Sequence, residues 1–160
     1  MRTCRGKNVI VSMKTLRARS WRRLLLGLWV GGLAAIDLVE TPTRFATKEV
    51  DRSQIITIGR RVFAAVNRVE VVLGALTLPF LGRDNGRTVR AKVLPMWAMA
   101  LWQLAVLQPR MRRAGDGLDY SGRDRSDPRY GQHRRLHLLY VILDGLKMGL
   151  GVWAILADDE

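Results

Sequence analysis

Four apolar segments alternate with basic stretches along the 160-residue chain, and this segregation constrains the fold more than any other feature. A helix that crosses a lipid bilayer needs about 20 predominantly apolar residues, within a range of about 17–25. The mean hydropathy of −0.01 is typical of a soluble protein only because the basic stretches offset the apolar segments. The sequence therefore predicts an all-α fold, a four-helix transmembrane bundle. The apolar segments are residues 24–39, 62–82, 93–108 and 136–157.

The predicted domain organisation follows the same alternation. Residues 1–23 contain eight Lys or Arg residues and no acidic residue, so we predict that residues 1–21 form a flexible basic arm. Pro42 is expected to break the first helix and Pro109 to end the third, because proline has no backbone N–H to donate. The predicted transmembrane domain covers residues 22–157, with helices at about 22–40, 54–82, 93–108 and 132–157 and a basic loop at 109–131.

A water-soluble four-helix bundle with basic loops is the alternative architecture. It is disfavoured because the apolar segments lack the broad polar face that helices of soluble bundles carry. A small-residue repeat at Gly27, Gly31 and Ala35 also favours the membrane, since membrane helices pack closely on such faces. Tryptophans near segment ends match the aromatic belts of membrane proteins. They are Trp21, Trp97 and Trp153.

The net charge of +13 raises the question of a nucleic-acid partner. The arginines are not interleaved with aromatic residues, and no nucleic-acid-binding motif is present, so we predict none. Arginines that flank spanning helices attract anionic lipid headgroups, which makes the lipid bilayer the expected partner. We expect a multi-pass protein of the cell (plasma) membrane. Lys and Arg are almost evenly divided between the two predicted sides, which permits dual insertion and a homo-oligomer.

One face of the fourth helix carries its strongly polar residues. Residues three or four positions apart lie on the same side of an α-helix. The spacing of 4, 3, 4, 3, 4 places six residues within an arc of about 80°. They are His133, His137, Tyr140, Asp144, Lys147 and Gly151.

The second helix repeats this pattern at Arg60, Asn67, Glu70, Gly74 and Thr77. At a rise of 1.5 Å per residue, Glu70 lies about 12 Å along its apolar segment, and Asp144 and Lys147 lie about 12 Å and 16 Å along theirs. If consecutive helices alternate in direction, these depths are measured from the same membrane face, opposite the N-terminal arm. We call this face the distal side.

A charge at bilayer depth costs about 2.5–3.5 kcal/mol, so the charged residues are expected to pair. Lys147 can reach Asp144 in its own helix and Glu70 across the bundle. We therefore predict a buried polar cluster, approached from the distal side past His137 and Asp37. Its predicted members are Asp37, Asn67, Glu70, Gln103, His137, Tyr140, Asp144 and Lys147.

Three functions are compatible with this cluster. Ionisable residues inside a membrane commonly belong to transport or proton-handling sites, which suggests a small transporter or proton-coupled component of unknown substrate. Alternatively, the cluster only fixes helix packing in a structural or interaction protein. A haem- or metal-binding enzyme would use His133 and His137, but Arg134 and Arg135 between them repel a cation. No hydrolase, zinc-protease or P-loop motif is present, so we expect no cofactor and no enzymatic activity.

Several short motifs together carry a family resemblance: LWVGG at 28–32, TPTRF at 41–45, N-x-x-E at Asn67 and Glu70, and LHLLYVILDGLK at 136–147. They are similar to the domain of unknown function typified by transmembrane protein 205, whose members are small multi-pass proteins with four predicted helices. The resemblance covers about residues 22–157, is best in the fourth helix, and excludes the basic stretches at 1–21 and 110–135. It implies an integral membrane protein and supplies no catalytic residues.

Overall fold

The computed structural model describes residues 4–81, 86–118, 120 and 127–157, and within these ranges every regular element is helical. The all-α prediction is confirmed. The π-helical turn Ala35–Glu40 joins α1 to α2, and the π-helical turn Gln103–Leu107 joins α4 to α5, so the helices form four long segments. A short 3₁₀ turn, Leu78–Phe80, ends the second segment. The helices are α1 (Cys4–Ala34), α2 (Thr41–Ala46), α3 (Arg52–Thr77), α4 (Gly86–Trp102), α5 (Gln108–Gly115) and α6 (Arg129–Leu156).

The four segments pack as a closed ring, in which each contacts two neighbours. α1 packs against α3 and α6, and α4 packs against the same two helices from the opposite side. Gly74 of α3 permits one of these close approaches, because an added Cβ would lie 2.0 Å from Cδ1 of Trp97. The apolar part of the interior is formed mainly by α1 and α4 and includes Leu26, Trp29, Leu33, Val89, Val93, Met96 and Ala100.

The outer surface of the bundle is apolar. Leu28, Val72 and Leu146 are each more than half exposed, and many other Leu, Val and Ile side chains also point outward. A water-soluble protein rarely exposes apolar surface this continuous. Three helical stretches are long and apolar enough to cross a membrane: Leu16–Ala46, Arg52–Phe80 and Arg129–Leu156. These features indicate a membrane protein. The number of long segments, four, agrees with the prediction. Within the described residues, however, the third segment is not one of the three stretches that are long and apolar enough to cross a membrane.

The predictions that Pro42 and Pro109 interrupt the helices are wrong. Proline lacks an N–H, and its ring collides with the carbonyl four residues earlier, so a regular α-helix cannot accept it without adjustment. A π-helical turn precedes each of these prolines and supplies that adjustment. The amide of Thr41 donates to Ile36 O and that of Gln108 donates to Gln103 O, each five residues back. Both helices therefore continue through the proline.

The structure also differs from the prediction at the basic arm and the basic loop. α1 begins at Cys4, so residues 4–21 are helical. Arg, Lys, Leu and Met have high helix propensity, and elongation of an existing helix is favourable where no proline intervenes. The loop predicted at 109–131 is shorter, because α5 extends to Gly115 and α6 begins at Arg129. Within it, residues 119 and 121–126 lie outside the described ranges.

The small-residue repeat does not pack within the bundle. Gly27, Gly31 and Ala35 are exposed, and a Cβ added at either glycine would meet nothing within 4 Å. The repeat therefore lies on the outer surface of the bundle. The side of α1 that packs inward instead carries Leu26, Trp29 and Leu33, because large apolar side chains fill the interior better than small ones.

Candidate functional site

The polar faces of α3 and α6 meet inside the bundle. The spacing of three and four residues that places Asn67 and Glu70 on one face of α3 also places Tyr140, Asp144 and Lys147 on one face of α6. All five side chains are buried, with at most 2% of each residue exposed. Their neighbours along both helices are mainly aliphatic, so water is excluded from the region around the charges.

Lys147 lies between two carboxylates. Its Nζ is 2.5 Å from Glu70 Oε1 and 2.9 Å from Asp144 Oδ1. Trp29 of α1 donates its indole N–H to the same Glu70 Oε1, at 2.9 Å. Charged groups in a low-dielectric interior need such direct partners, because each loses its hydration on burial.

Gln103 and Tyr140 extend the cluster to the third segment and toward the distal side. Gln103 donates from Nε2 to Asp144 Oδ1 at 2.9 Å and to the backbone carbonyl of Tyr140 at 3.3 Å. Tyr140 donates its hydroxyl to Asn67 Oδ1 at 2.5 Å. The Tyr140 ring also makes an edge contact with Phe63, with 5.4 Å between ring centroids. The polar groups therefore connect all four helical segments.

Three buried polar atoms of the cluster have no hydrogen-bond partner within the described residues: Glu70 Oε2, Asn67 Nδ2 and Gln103 Oε1. The negative and positive charges are also unequal in number, since two carboxylates share one ammonium group. If all three groups are ionised, the cluster has a net charge of −1. An uncompensated charge is costly to bury, so the uptake of one positive charge would favour this cluster.

Six of the eight predicted cluster residues lie together: Asn67, Glu70, Gln103, Tyr140, Asp144 and Lys147. Asp37 is only half-buried and makes no hydrogen bond or ion pair within the described residues, but its carboxylate lies near enough to interact electrostatically with Asp144, Lys147 and Glu70. His137 is exposed and makes no hydrogen bond to the cluster among the described residues, although it too interacts electrostatically with Asp144. Trp29 is a member that the sequence did not reveal, because a tryptophan in an apolar segment is typical of packing or of an interface and nothing in its spacing indicates a polar contact.

The structure describes the surroundings of His133, which with His137 was a weak candidate for a metal ligand. His133 Nδ1 lies 3.3 Å from Met111 O, and its ring contacts the Tyr120 ring with 5.7 Å between centroids. Across the described ranges, no group of three or more His, Cys, Asp or Glu side chains could hold a metal ion.

A cavity of about 720 Å³ opens on the distal side of the cluster, between α2, α3, α5 and α6. Tyr140, Phe63 and His137 line it, so Tyr140 belongs both to the cavity wall and to the cluster. Of the two residues predicted to lie on the approach to the cluster, His137 lines this cavity and Asp37 does not.

The fold and the buried ion pairs thus define an all-α membrane protein with its charged groups turned inward. Residues 24–117 match the family described as a domain of unknown function (DUF4149), and because this match covers more than half of the chain, the protein belongs to that family. The match ends before α6, so it includes Trp29, Glu70 and Gln103 but neither Asp144 nor Lys147. No curated protein and no solved structure matches the sequence.

Proposed function

We propose that this chain is a multi-pass protein of the cell membrane, crossed by all four helical segments, and that its buried cluster binds and releases a proton. In this role it acts as a small transporter or a proton-coupled membrane component. The observation that carries the proposal is the sharing of one ammonium, that of Lys147, by the two carboxylates of Glu70 and Asp144. The resemblance of the chain to proteins typified by transmembrane protein 205 supports the multi-pass arrangement.

The argument for a proton is electrostatic. A cluster with two carboxylates and one ammonium becomes neutral when it takes up one positive charge, and a proton needs no space beyond an existing oxygen. Glu70 Oε2 is buried and has no partner among the described residues, so it can carry that proton. The distal cavity, whose wall includes Tyr140, supplies the path along which the proton exchanges. Intramembrane ionisable residues with such access are typical of proton relays.

Infrared spectroscopy of the purified protein in lipid nanodiscs tests the proposal. At neutral pH the wild-type protein should show the C=O stretching band of a protonated carboxylic acid. Either Glu70→Gln or Asp144→Asn makes the cluster neutral without a proton, so each should weaken the band. Glu49→Gln, which changes an exposed loop residue, should leave it unchanged. A spectrum that is the same in both cluster variants and in wild type would refute proton binding.

A second candidate function is structural, and the connectivity of the cluster favours it. Its hydrogen bonds and ion pairs join α1 to α3, α3 to α6, and α6 to the third segment, so the cluster can fix the packing of the whole bundle. Transfer to D₂O separates the two functions. A proton that the cluster exchanges with the distal cavity gives a rapid isotope shift of the carboxylic-acid band, whereas a locked structural cluster gives no such shift.

The membrane arrangement has its own test. In a Cys4→Ser background, single cysteines at Arg17 and at Lys48 replace exposed residues near opposite ends of the apolar stretch Leu16–Ala46. A membrane-impermeant thiol reagent added to intact cells should label only one of the two, whereas partial labelling of both would indicate dual insertion. Complete labelling of both positions in intact cells, or recovery of the protein without detergent, would contradict a spanning first segment.

A further inference from the structure

We propose that the distal cavity is a binding site for a phosphate-bearing organic anion with an apolar body. This site goes beyond the proton cluster, and it rests on a different set of residues. Its volume of about 720 Å³ falls within the range of about 300–1,000 Å³ that is usual for small-molecule sites. The two possible sources of such a ligand, a phospholipid headgroup and a soluble organic phosphate, share the chemistry that the cavity recognises.

The charge of the cavity wall is strongly positive. No Asp or Glu residue lines it within the described ranges, although Glu40 and Asp116 lie near enough to pair with two of its arginines. Even with both carboxylates counted, the arginines leave a formal excess of three positive charges. The five arginines that line the cavity are Arg44, Arg52, Arg60, Arg112 and Arg134.

Arg44 is held in place before any ligand arrives. Its Nη2 lies 3.0 Å from Glu40 Oε2, its Nη1 donates to Ile55 O at 3.3 Å, and its side chain is only 10% exposed. Gly59 provides the space for it, because an added Cβ would lie 2.6 Å from Arg44 Nη1. A guanidinium fixed in this way loses little side-chain freedom when it binds an anion.

Arg60 is fixed in a similar way, by groups at the end of α5 and just after it. Its Nη2 donates to Gly115 O at 2.7 Å and to the Tyr120 hydroxyl at 3.0 Å, and its Nη1 lies 3.5 Å from the exposed carboxylate of Asp116. Gly115 leaves room for this contact, since an added Cβ would lie 2.1 Å from Arg60 Nη2. Two glycines thus make room for two preorganised cations.

The remaining arginines of the cavity, Arg52, Arg112 and Arg134, are exposed and form no ion pair within the described residues. Guanidinium groups bind both carboxylate and phosphate oxygens through pairs of parallel hydrogen bonds. A phosphate ester has three acceptor oxygens and up to two negative charges, so it can engage more of these arginines at once than a carboxylate can. An anion in the cavity would compensate charges that have no ion-pair partner in the part of the chain that the structure describes.

The same wall is apolar between the charges. Ile55, Phe63, Tyr120 and Tyr140 line it together with other aliphatic and aromatic side chains. A small inorganic ion would leave these surfaces in contact with water, whereas a phosphate ester with an acyl or aromatic body covers them. Hence the cavity fits an organic phosphate better than a free inorganic ion.

Isothermal titration calorimetry of the full chain in a neutral maltoside detergent tests the site with two probes. Phenyl phosphate represents a soluble organic phosphate, and dihexanoyl phosphatidic acid represents a lipid headgroup with short acyl chains. Saturable binding of at least one probe is expected. Binding of the lipid alone identifies a headgroup site, and binding of phenyl phosphate alone identifies a site for soluble ligands. Absence of saturable binding by both probes would overturn the proposal.

Matched variants locate the binding within the cavity. Arg60→Gln should weaken binding about tenfold, the loss expected when a charge-assisted hydrogen bond is removed. Arg61→Gln removes the same charge one residue away, at an exposed position that does not line the cavity, and should change binding less than about twofold. Equal weakening by both variants would mean diffuse attraction to a basic surface and would contradict a built site.

Two further variants separate binding from folding. Arg134→Gln changes an exposed arginine of the wall that holds no other described residue in place, so it should weaken binding without lowering the melting temperature. Gly115→Ala keeps every charge but displaces the Arg60 guanidinium, and it should weaken binding as Arg60→Gln does. If Arg134→Gln and Gly115→Ala both bind as the wild-type protein does, the cavity is not the site.

Discussion

Lys147 Nζ of α6 lies 2.5 Å from Glu70 Oε1 of α3, and neither side chain is more than 3% exposed. The two residues are 77 positions apart in the chain, so their contact forms only when the bundle closes. Both helices carry apolar side chains on their outer faces, which makes the interior the only place where these charges meet a partner.

Removal of the ammonium should be the most damaging change in the cluster. Lys147→Met leaves two buried carboxylates without a cation, and we expect a loss of about 3–5 kcal/mol in the free energy of unfolding. Adding Glu70→Gln should restore part of this loss, because it removes one of the uncompensated charges. Unfolding by SDS in mixed micelles measures both values. Arg68→Met, on the exposed side of α3, is the control and should have little effect. A double variant no more stable than Lys147→Met would contradict the pairing.

Trp29→Phe tests the indole hydrogen bond to Glu70 while it retains most of the apolar volume. Hydrogen bonds to charged groups contribute about 1.5–3 kcal/mol, and we expect a loss of stability in this range. Trp21→Phe, at a residue that is 45% exposed, should change stability by much less. Equal losses for the two variants in the same SDS titration would indicate that the Trp29–Glu70 bond contributes nothing.

Two glycines of α6 should respond to alanine in opposite ways. An added Cβ at Gly151 would lie 2.3 Å from Val30 Cγ2, so Gly151→Ala should destabilise the bundle by about 1–3 kcal/mol through overpacking. At Gly149 nothing lies within 4 Å, and Gly149→Ala should be neutral or stabilise the helix by up to about 1 kcal/mol. Thermal unfolding in detergent compares them. A stable Gly151→Ala variant would argue against the close approach of α6 to α1.

Lys92 and Trp153 form a cation–π contact between α4 and α6. Lys92 Nζ lies 4.1 Å from the centre of the Trp153 ring, is buried, and has no hydrogen-bond partner among the described residues. A double-mutant cycle of Lys92→Met and Trp153→Leu should therefore give a coupling energy of about 0.5–2 kcal/mol. The same cycle with Trp102→Leu in place of Trp153→Leu should be additive. Zero coupling with Trp153 would show that the ring does not stabilise the ammonium.

Asp127, which lies just before α6, should make a small, pH-dependent contribution to the stability of the fold. Hydrogen bonds from Arg129 hold the pKa of the Asp127 carboxyl below its usual value. A lowered folded-state pKa gives stability that is present above the unfolded-state pKa and is lost as the pH falls through the folded-state pKa. The difference in melting temperature between wild type and Asp127→Asn should therefore shrink on acidification, whereas a constant difference would contradict this linkage.

Helix periodicity predicted the inward faces correctly where charge and spacing agreed. Asn67, Glu70, Asp144 and Lys147 had to share faces because of their spacing, and hydrocarbon gives charges no favourable place outside the bundle. His137 has the same spacing, but it lies too near the end of its segment to be enclosed, and it remains exposed at the cavity. The periodicity of a helix predicts the face on which a residue lies, but it does not predict whether neighbouring helices bury that residue.

Other features depended on contacts that the sequence does not encode locally. The partner of Trp29 lies on another helix, so its polar role appears only in three dimensions. The helices continue through Pro42 and Pro109 because π-helical turns precede them, and no composition rule predicts such turns. The fixed positions of Arg44 and Arg60 depend on Gly59 and Gly115, which lie far from each other in the chain.

The number of residues in the π-helical turn Gln103–Leu107 helps to determine the shape of the distal cavity. Such a turn accommodates one residue more than the α-helix it interrupts, so the deletion of a single residue there would tighten it into regular helix. The positions beyond it would keep their orientation, but Pro109 would then lie in regular α-helix, where its ring collides with the carbonyl four residues earlier. The resulting kink would move the carbonyl of Gly115 away from Arg60, and the basic wall would change its shape although none of its side chains had been replaced. In this turn, therefore, the number of residues matters as well as the hydrogen bonds that Gln103 makes.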